Sequence, residues 1–291
     1  MRLYAFLWYN MEMRKQDWIK QIKDIKKEIY LITDKDLAKT LLTESLINSI
    51  KIRVPKGKFG ILFSGGVDSS TIALIAKKFN KNFICYCVGL EDSEDIKYAK
   101  QVVKFLKVKL NIKILTLNEI EKKLKELSKL YKLDAVKAGV GLVTLIAMEQ
   151  AKKDKIKIVF TGLGSEEIFA GYQRHKESKD VNQECWNGLL KMYDRDLQRD
   201  LPIAKKLKMK IETPFLDKDL IKNAMGLPPE FKITSENNKM ILRETAFELG
   251  LGKFAFRKKR AAQYGSKFDK ALERLAKKNG FKFKKDYLNS I

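Results

Sequence analysis

Apolar residues along the chain fall into two recurring patterns: short continuous runs, and longer stretches at helical spacing. The clearest junction lies between Phe59 and Phe79. There FGILF is an almost unbroken apolar run, Ser64-Gly65-Gly66 interrupts it, and from Ser69 onward Ile72, Ala73, Ile75 and Ala76 recur on one helix face. The run predicts a strand buried on both faces, and the residues after it predict a tight turn and a helix. The same alternation predicts strands over 82–88, 111–117 and 156–160, and helices over 93–106, 118–130 and 140–151. Ahead of the first strand, Trp18, Ile19, Ile22, Ile25 and Ile29 mark a basic helix over 13–30. A second helix over 34–50, capped by Thr33 or Asp34, carries Leu37, Leu41, Leu42, Leu46 and Ile47 inward. Residues 1–10 are apolar and aromatic and read as a strand or docking segment. From Gln183 onward strand signals fade, and helices are predicted over 189–207, 218–225, 239–249 and 267–278, punctuated by Pro214, Pro228 and Pro229.

Strands alternating with helices predict an α/β fold: a parallel sheet with helices on both faces, right-handed crossovers, and a helical C-terminal part. The expected domain plan is a basic N-terminal segment, 1–36, ahead of one nucleotide-binding unit, 37–291. Ligands of such sheets bind beyond the carboxyl ends of the strands. The turns after Phe63, Val88 and Phe160 all leave strands at that end.

The turn SGGVDSS narrows the chemistry. Gly-Gly followed by a helix opening on Asp-Ser-Ser offers backbone N–H groups, hydroxyls and the positive end of a helix dipole to one spot, where an anion, most plausibly phosphate, belongs. A P-loop would require a lysine at the helix mouth. Asp68 stands there instead, and a carboxylate beside phosphate calls for a Mg²⁺ ion between them. The turn TGLGSEEIFAGY, 161–172, comes after the fourth predicted strand. Its glycines allow close backbone approach, and its Glu166 and Glu167 either cap the next helix or complete a Mg²⁺ site with Asp68.

Composition adds three constraints. No apolar run approaches the roughly 20 residues of a membrane span, and the apolar start lacks a small-residue cleavage site, which predicts a cytoplasmic protein without a membrane partner. The three cysteines form no C-x-x-C pair, so buried thiols are expected rather than a zinc or iron–sulfur site. The net charge of +24 points to a polyanionic partner, with RNA first. A nucleotide pocket needs basic groups too, and a thermophile-like surface would also be rich in charge.

SGGVDSS resembles the PP-loop of ATP pyrophosphatases. Together with CVGLEDSEDIKYAK, TGLGSEEIFAGY, MYDRDL, TPFLDKDLI, KMILRETA and FRKKRAAQYGS, in that order, it resembles the synthetase domain of the asparagine synthetase B family over roughly residues 40 to 270. The wider family includes β-lactam synthetase. The resemblance implies that Ser64, Gly65, Gly66, Asp68, Ser69 and Ser70 hold the pyrophosphate of ATP. It implies that Leu62, Val88 and Gly89 line the adenine slot, and that Thr161 and Gly162 contact the nucleotide. Asp68 and Glu166 would be the magnesium ligands, and Lys239 and Lys259 would meet the phosphates and the charge of the transition state. His175, Lys258 and Arg260 are expected to be solvated or capping, or to touch phosphate or RNA.

Two departures stand out. Residue 2 is arginine, and the amino-terminal cysteine of a glutamine-hydrolysing domain is missing. Free ammonia, another amine or an ammonia-supplying partner would then provide nitrogen. The amine-handling glutamate of asparagine synthetase, a tyrosine in β-lactam synthetase, is here Leu163, which can neither take a proton nor bind ammonium. Stand-alone asparagine-synthetase-domain proteins also carry an apolar residue there. The expected function is therefore an AMP- and pyrophosphate-forming ligase that uses ATP and Mg²⁺ to activate a carboxylate for attack by ammonia or another amine. The alternatives are adenylation of a tRNA base and a non-catalytic nucleotide-binding subunit.

Overall fold

In the computed structural model, residues 13–257 and 261–291 are described. Residues 1–12, with the expected N-terminal strand or docking segment, and Lys258, Lys259 and Arg260 lie outside them. The first helices are α1 (Lys15–Lys27) and α2 (Lys35–Lys51), with Asp34 capping α2 by accepting from the Leu37 N–H at 2.8 Å. Next come β1 (Phe59–Leu62), α3 (Val67–Phe79), β2 (Phe83–Gly89), α4 (Glu94–Leu106), β3 (Lys109–Ile114), α5 (Leu117–Ser128), α6 (Ala135–Lys153) and β4 (Ile158–Phe160). The short helices α7 (Ser165–Ile168) and α8 (Gln173–Glu177) lead to α9 (Val181–Met192) and α10 (Gln198–Leu207), which a π-helical turn at Tyr193–Leu197 joins. Beyond β5 (Lys210–Glu212) come α11 (Lys218–Met225), α12 (Pro229–Lys232), α13 (Met240–Ala246), α14 (Ala262–Gly265), α15 (Phe268–Lys278) and α16 (Lys284–Asn289).

All five strands run parallel, in the order β3-β2-β1-β4-β5. Successive side chains of a strand alternate between faces, and β2 shows what this does. Phe83, Cys85 and Cys87 enter one core, while Ile84, Tyr86 and Val88 enter the other. The first core is covered by α1, α2, α3, α4, α9, α11 and α13, and the second by α5, α6, α10 and α15. The predicted α/β fold with helices on both faces is what the chain adopts. In α1, Trp18 is fully buried in the first core and its indole N–H donates to the Leu189 carbonyl at 2.9 Å. All three cysteines are free and buried, as expected.

One element corrects the sequence reading. β5 lies within the stretch where strand signals fade, and it pairs with β4 through Ile158↔Lys210, Val159↔Ile211 and Phe160↔Glu212. Three residues are too few to display a period-2 pattern, so this strand is defined only by its neighbour. The predicted helix over 189–207 is likewise broken by the π turn, and that over 239–249 stops at Ala246, where a wide turn ends at Gly250 with φ 105°.

The order matters for function. The chain steps outward from β1 to β2 and β3, then returns to the other side of β1 for β4 and β5. The crevice between the carboxyl ends of β1 and β4 is thus the topological switch point, where open α/β sheets bind ligands. The loop Ser64–Gly66 leaves β1 there, and Thr161–Gly164 leaves β4 beside it.

Candidate active site

The turn after β1 is braced by its own hydroxyls. Ser64 Oγ accepts from the Gly66 N–H at 3.3 Å, and Ser69 Oγ accepts from the Ser64 N–H and donates to the Gly66 carbonyl, both at 3.3 Å. Gly65 has φ +68°, and a Cβ there would stand 2.9 Å from the Ala99 backbone nitrogen. Only glycine fits. Gly66 caps α3 without a side chain, so the N–H groups of the first helical turn and the dipole face outward to an anion. Ser70 is fully buried on that turn, and its hydroxyl has no hydrogen-bond partner.

Asp68, one residue into α3, is nearly buried and is held from two directions. Ser165 Oγ donates to its Oδ1 at 2.6 Å, and the Lys239 ammonium lies 2.9 Å from Oδ1 and 3.0 Å from Oδ2. The same ammonium pairs with Glu166 Oε1 at 2.8 Å and donates to Ser165 Oγ at 3.1 Å. Burial alone would lower the Lys239 pKa, but the charges of Asp68 and Glu166 outweigh it and hold the group above the ordinary lysine value. Lys239 reaches this position from a left-handed backbone conformation, φ +58°, at the start of α13.

Gly162 stands against Asp68, and a Cβ at this position would lie 2.8 Å from the Asp68 Cβ. Gly164, with φ +96°, is the N-cap of α7, and the two acids, successive residues of that helix, point apart. Glu166 is turned to Lys239 at the strand ends. Glu167 is buried in the other direction against Arg195, its pKa raised first by burial and then by the nearby Asp196 charge. Arg195, Asp196, Arg199 and Asp200 continue this ion-pair chain beneath the site, with Arg199 bound to Asp196 at 3.0 Å and to Asp200 at 2.8 Å. Of the two glutamates, only Glu166 is available to a ligand.

The cluster opens into a cavity of about 390 Å³, whose wall includes Val67, Asp68, Glu166, Asn237, Lys239 and Arg243. A larger open groove of about 580 Å³ lies between β3, α5 and α6, but no phosphate-loop residue lines it. On the far side of the loop, Val88 and Gly89 are buried at the end of β2 and Leu62 is half-buried at the end of β1. Thr161 continues the β4 ladder by donating its N–H to the Glu212 carbonyl at 3.0 Å. The fold therefore gathers Leu62, Ser64 to Gly66, Asp68 to Ser70, Val88, Gly89, Thr161, Gly162, Glu166 and Lys239 at the strand ends. Lys259 lies outside the described residues.

His175 takes the capping one of its two expected roles, at the N-cap of α8. It is fully buried, not solvated, and its Nδ1 accepts from the Tyr172 N–H at 3.1 Å. Burial, with a smaller push from Arg174, lowers its pKa to about 4. Leu163 is half-buried and packs on the first core, not into the cavity.

The donor set fits Mg²⁺. Two carboxylates and a hydroxyl, all hard oxygen donors, already converge on one cation, the Lys239 ammonium. No cluster of three or more His, Cys, Asp or Glu side chains suited to a metal exists among the described residues. An ion held by Asp68 and Glu166 would thus complete its shell with water and substrate phosphate, as Mg²⁺ commonly does.

Sequence reasoning missed three residues of this site. Ser165 joins Asp68 to Lys239. Arg243 donates to the carbonyls of Asn238, Ala255 and Arg257 at 2.8, 2.7 and 2.9 Å. Arg257 reaches the turn after β1 itself, with Nη1 2.6 Å from the Ser64 carbonyl. Each stands inside a motif already singled out, within four positions of a residue that drew the attention.

The asparagine synthase family model matches residues 41–184 and 175–282. A Methanocaldococcus jannaschii protein, provisionally named asparagine synthetase (glutamine-hydrolyzing) 1, is 33% identical over 289 aligned positions, covering 85% of this chain and 53% of that protein. The nodule asparagine synthetase (glutamine-hydrolyzing) of Pisum sativum is 28% identical over 221 positions, 69% of this chain and 37% of the relative. The chain thus spans about half or less of the length of these relatives. Among solved structures, the U34-tRNA thiolase NcsA of Methanococcus maripaludis aligns over 82% of this chain and 75% of its own, with 15% identity and a TM-score of 0.40. NMN synthetase from Francisella tularensis aligns over 86% and 98%, with 15% identity and a TM-score of 0.35. On the extent of the family match and the identity to the archaeal relative, this chain belongs to the asparagine synthase family.

Proposed function

We propose that the chain is an ATP-dependent ligase that forms AMP and pyrophosphate, adenylating a carboxylate which ammonia or another amine then attacks. The observation that carries this reading is the convergence of Asp68 and Glu166 on a single cation at the mouth of a glycine turn that opens a helix. A bound Mg²⁺ would neutralise charge on the phosphates. Asp68 and Glu166 would hold it, and the turn Ser64–Gly66 with the first turn of α3 would take the β- and γ-phosphates. Val88, Gly89 and Leu62 would receive the adenine. Displaced from the carboxylates, Lys239 would lie within reach of the phosphates, where a fixed cation stabilises charge that builds up in the transition state. Lys259, two residues past Arg257, would act in the same way.

Adenylation and amine handling separate in this chain. Leu163 packs on the core where asparagine synthetase has its glutamate, so the attacking amine must arrive neutral and pass the proton it sheds on forming the amide to another group as AMP leaves. The proposed reaction is thus a carbon–nitrogen ligation whose second half differs from that of asparagine synthetase.

The test is exchange of labelled pyrophosphate into ATP in the presence of Mg²⁺ and pools of small carboxylates. Exchange that requires a carboxylate and disappears in Asp68→Ala supports the reading. No exchange with any pool, in protein shown to be folded, counts against it.

A second reading, with a tRNA base as the adenylated acceptor, is favoured by one surface. Tyr98, beside Arg257, and Phe105, Phe247 and Phe256 are exposed on a chain of net charge +24, and exposed aromatics among cations suit single-stranded bases. Retention of bulk tRNA that falls steeply with salt, together with tRNA-dependent exchange, would select it over a small carboxylate.

A further inference from the structure

Arg257 ties the phosphate loop to the rest of the molecule, and the proposed nucleotide chemistry gives it no part. Its guanidinium is buried. Nη1 donates to the Ser64 carbonyl at 2.6 Å, Nη2 donates to Asp95 Oδ1 at 3.0 Å, and the group lies over the Tyr98 ring, 3.8 Å from its centroid. Asp95 and Tyr98 both belong to α4, so one side chain bridges the loop after β1 to the helix after β2. The main chain of Arg257 is itself pinned, because Arg243 donates to its carbonyl at 2.9 Å and to that of Ala255 at 2.7 Å.

The carbonyl it holds has a particular consequence. Ser64 C=O and Gly65 N–H belong to one planar trans peptide, so they point in opposite directions. Gly65 has φ +68° and lacks a Cβ, and a peptide next to such a residue can flip with little steric resistance. A cation gripping the carbonyl removes that freedom and fixes the direction of the N–H. A fixed, charge-assisted hydrogen bond to a backbone carbonyl is among the stronger ways to do so.

We propose that Arg257 is a positioning residue that locks the Ser64–Gly65 peptide in the orientation that presents the loop to the phosphates. The inference rests on the proposed nucleotide site, and extends it to a residue that need not touch the nucleotide. Lysine at this position keeps the charge but loses the planar fork that reaches Ser64 and Asp95 together.

The test compares binding of pyrophosphate, adenosine and Mg²⁺–ATP by calorimetry in wild type, Arg257→Lys and Arg257→Gln, with melting temperature recorded for each. Loss of one charge-assisted hydrogen bond predicts pyrophosphate and ATP affinity reduced about 10-fold in both variants, and adenosine affinity unchanged. A merely structural role would weaken adenosine and pyrophosphate alike. That outcome, or pyrophosphate binding equal to wild type in both variants, overturns the inference while leaving the nucleotide site intact. Wild-type protein that binds neither pyrophosphate nor ATP overturns both. Should Arg257→Gln fail to fold, Tyr98→Leu removes the stacking partner and leaves the fork in place. It then predicts a smaller loss for pyrophosphate and ATP with adenosine unchanged, and no loss counts against the proposal.

Discussion

Lys239 Nζ lies 2.9 and 3.0 Å from the two carboxylate oxygens of Asp68, a residue 171 positions away in the chain. The same ammonium is 2.8 Å from Glu166. The native fold thus keeps a cation of its own between two carboxylates that, in the proposed function, belong to a metal ion.

This contact makes Lys239→Met informative. Removing the ammonium leaves a nearly buried carboxylate uncompensated, which costs about 3–5 kcal/mol when a buried pair is broken from one side. Mg²⁺ can take its place between Asp68 and Glu166. Melting curves in chelator and in millimolar Mg²⁺ should show a variant several degrees below wild type that recovers partly with the ion, and a wild type that responds little. The native pKa of Lys239 is raised, so the stabilisation is complete below 10.5, the ordinary value, and fades only as pH rises through the native one. Neutral buffers will not titrate it.

Gly65→Ala tests the loop geometry directly. A Cβ there would meet the Ala99 nitrogen at 2.9 Å and the Tyr98 carbonyl carbon at 3.0 Å, in a left-handed conformation that L-residues avoid. Strain of this kind costs about 1–3 kcal/mol. The substitution should lower the denaturant midpoint and abolish pyrophosphate binding. Unaltered binding would mean that the turn does not hold phosphate.

Lys232 carries an opposite prediction. It is fully buried at the end of α12 and donates to Asn182 Oδ1 at 2.8 Å. Burial lowers its pKa to about 8, against an ordinary 10.5. A depressed lysine is a destabilising group below its native pKa, since the unfolded chain holds the proton more tightly. Stability should therefore rise between pH 8 and 10.5, and Lys232→Met should be more stable than wild type at pH 7, by up to about 3 kcal/mol. Chemical denaturation at pH 7 and pH 9 would show the gain shrinking as pH rises.

His175 sets the acid limb. The chain has one histidine, so its ring protons titrate without overlap in an NMR spectrum. Burial holds it neutral until about pH 4. The unfolded chain binds a proton near 6.5, so native stability should fall as pH drops from 6.5 toward 4, by up to about 3 kcal/mol. A ring titration centred near 6.5 in the native protein would contradict the burial argument.

Legibility in the sequence tracks what each feature depends on. FGILF, FICYCVG and the helices with regular apolar spacing are set by local pattern, and they stand where the pattern places them within a few residues. β5 was not legible, because Lys210–Glu212 is a strand only by virtue of pairing with β4. The turn after β1 was legible because local backbone geometry requires glycine at Gly65, and a helix opens directly behind it. The split between Glu166 and Glu167 was not, since it turns on the left-handed Gly164 and on Arg195 arriving from a distant helix. Arg243 and Arg257 were hidden for another reason. In so basic a chain an arginine carries no signal of its own, and their importance lies in which carbonyls they reach after folding.

In the proposed reaction the glycine turn and the Asp68–Glu166 pair direct cleavage of ATP at the α-phosphate. The most direct check is phosphorus NMR of ATP consumed by the protein with Mg²⁺ and a pool of carboxylates and amines, or with tRNA. Wild type should release AMP and pyrophosphate in equal amounts, and the Asp68→Ala variant neither. Formation of ADP and inorganic phosphate by the wild type, lost in that variant, would contradict the proposed reaction.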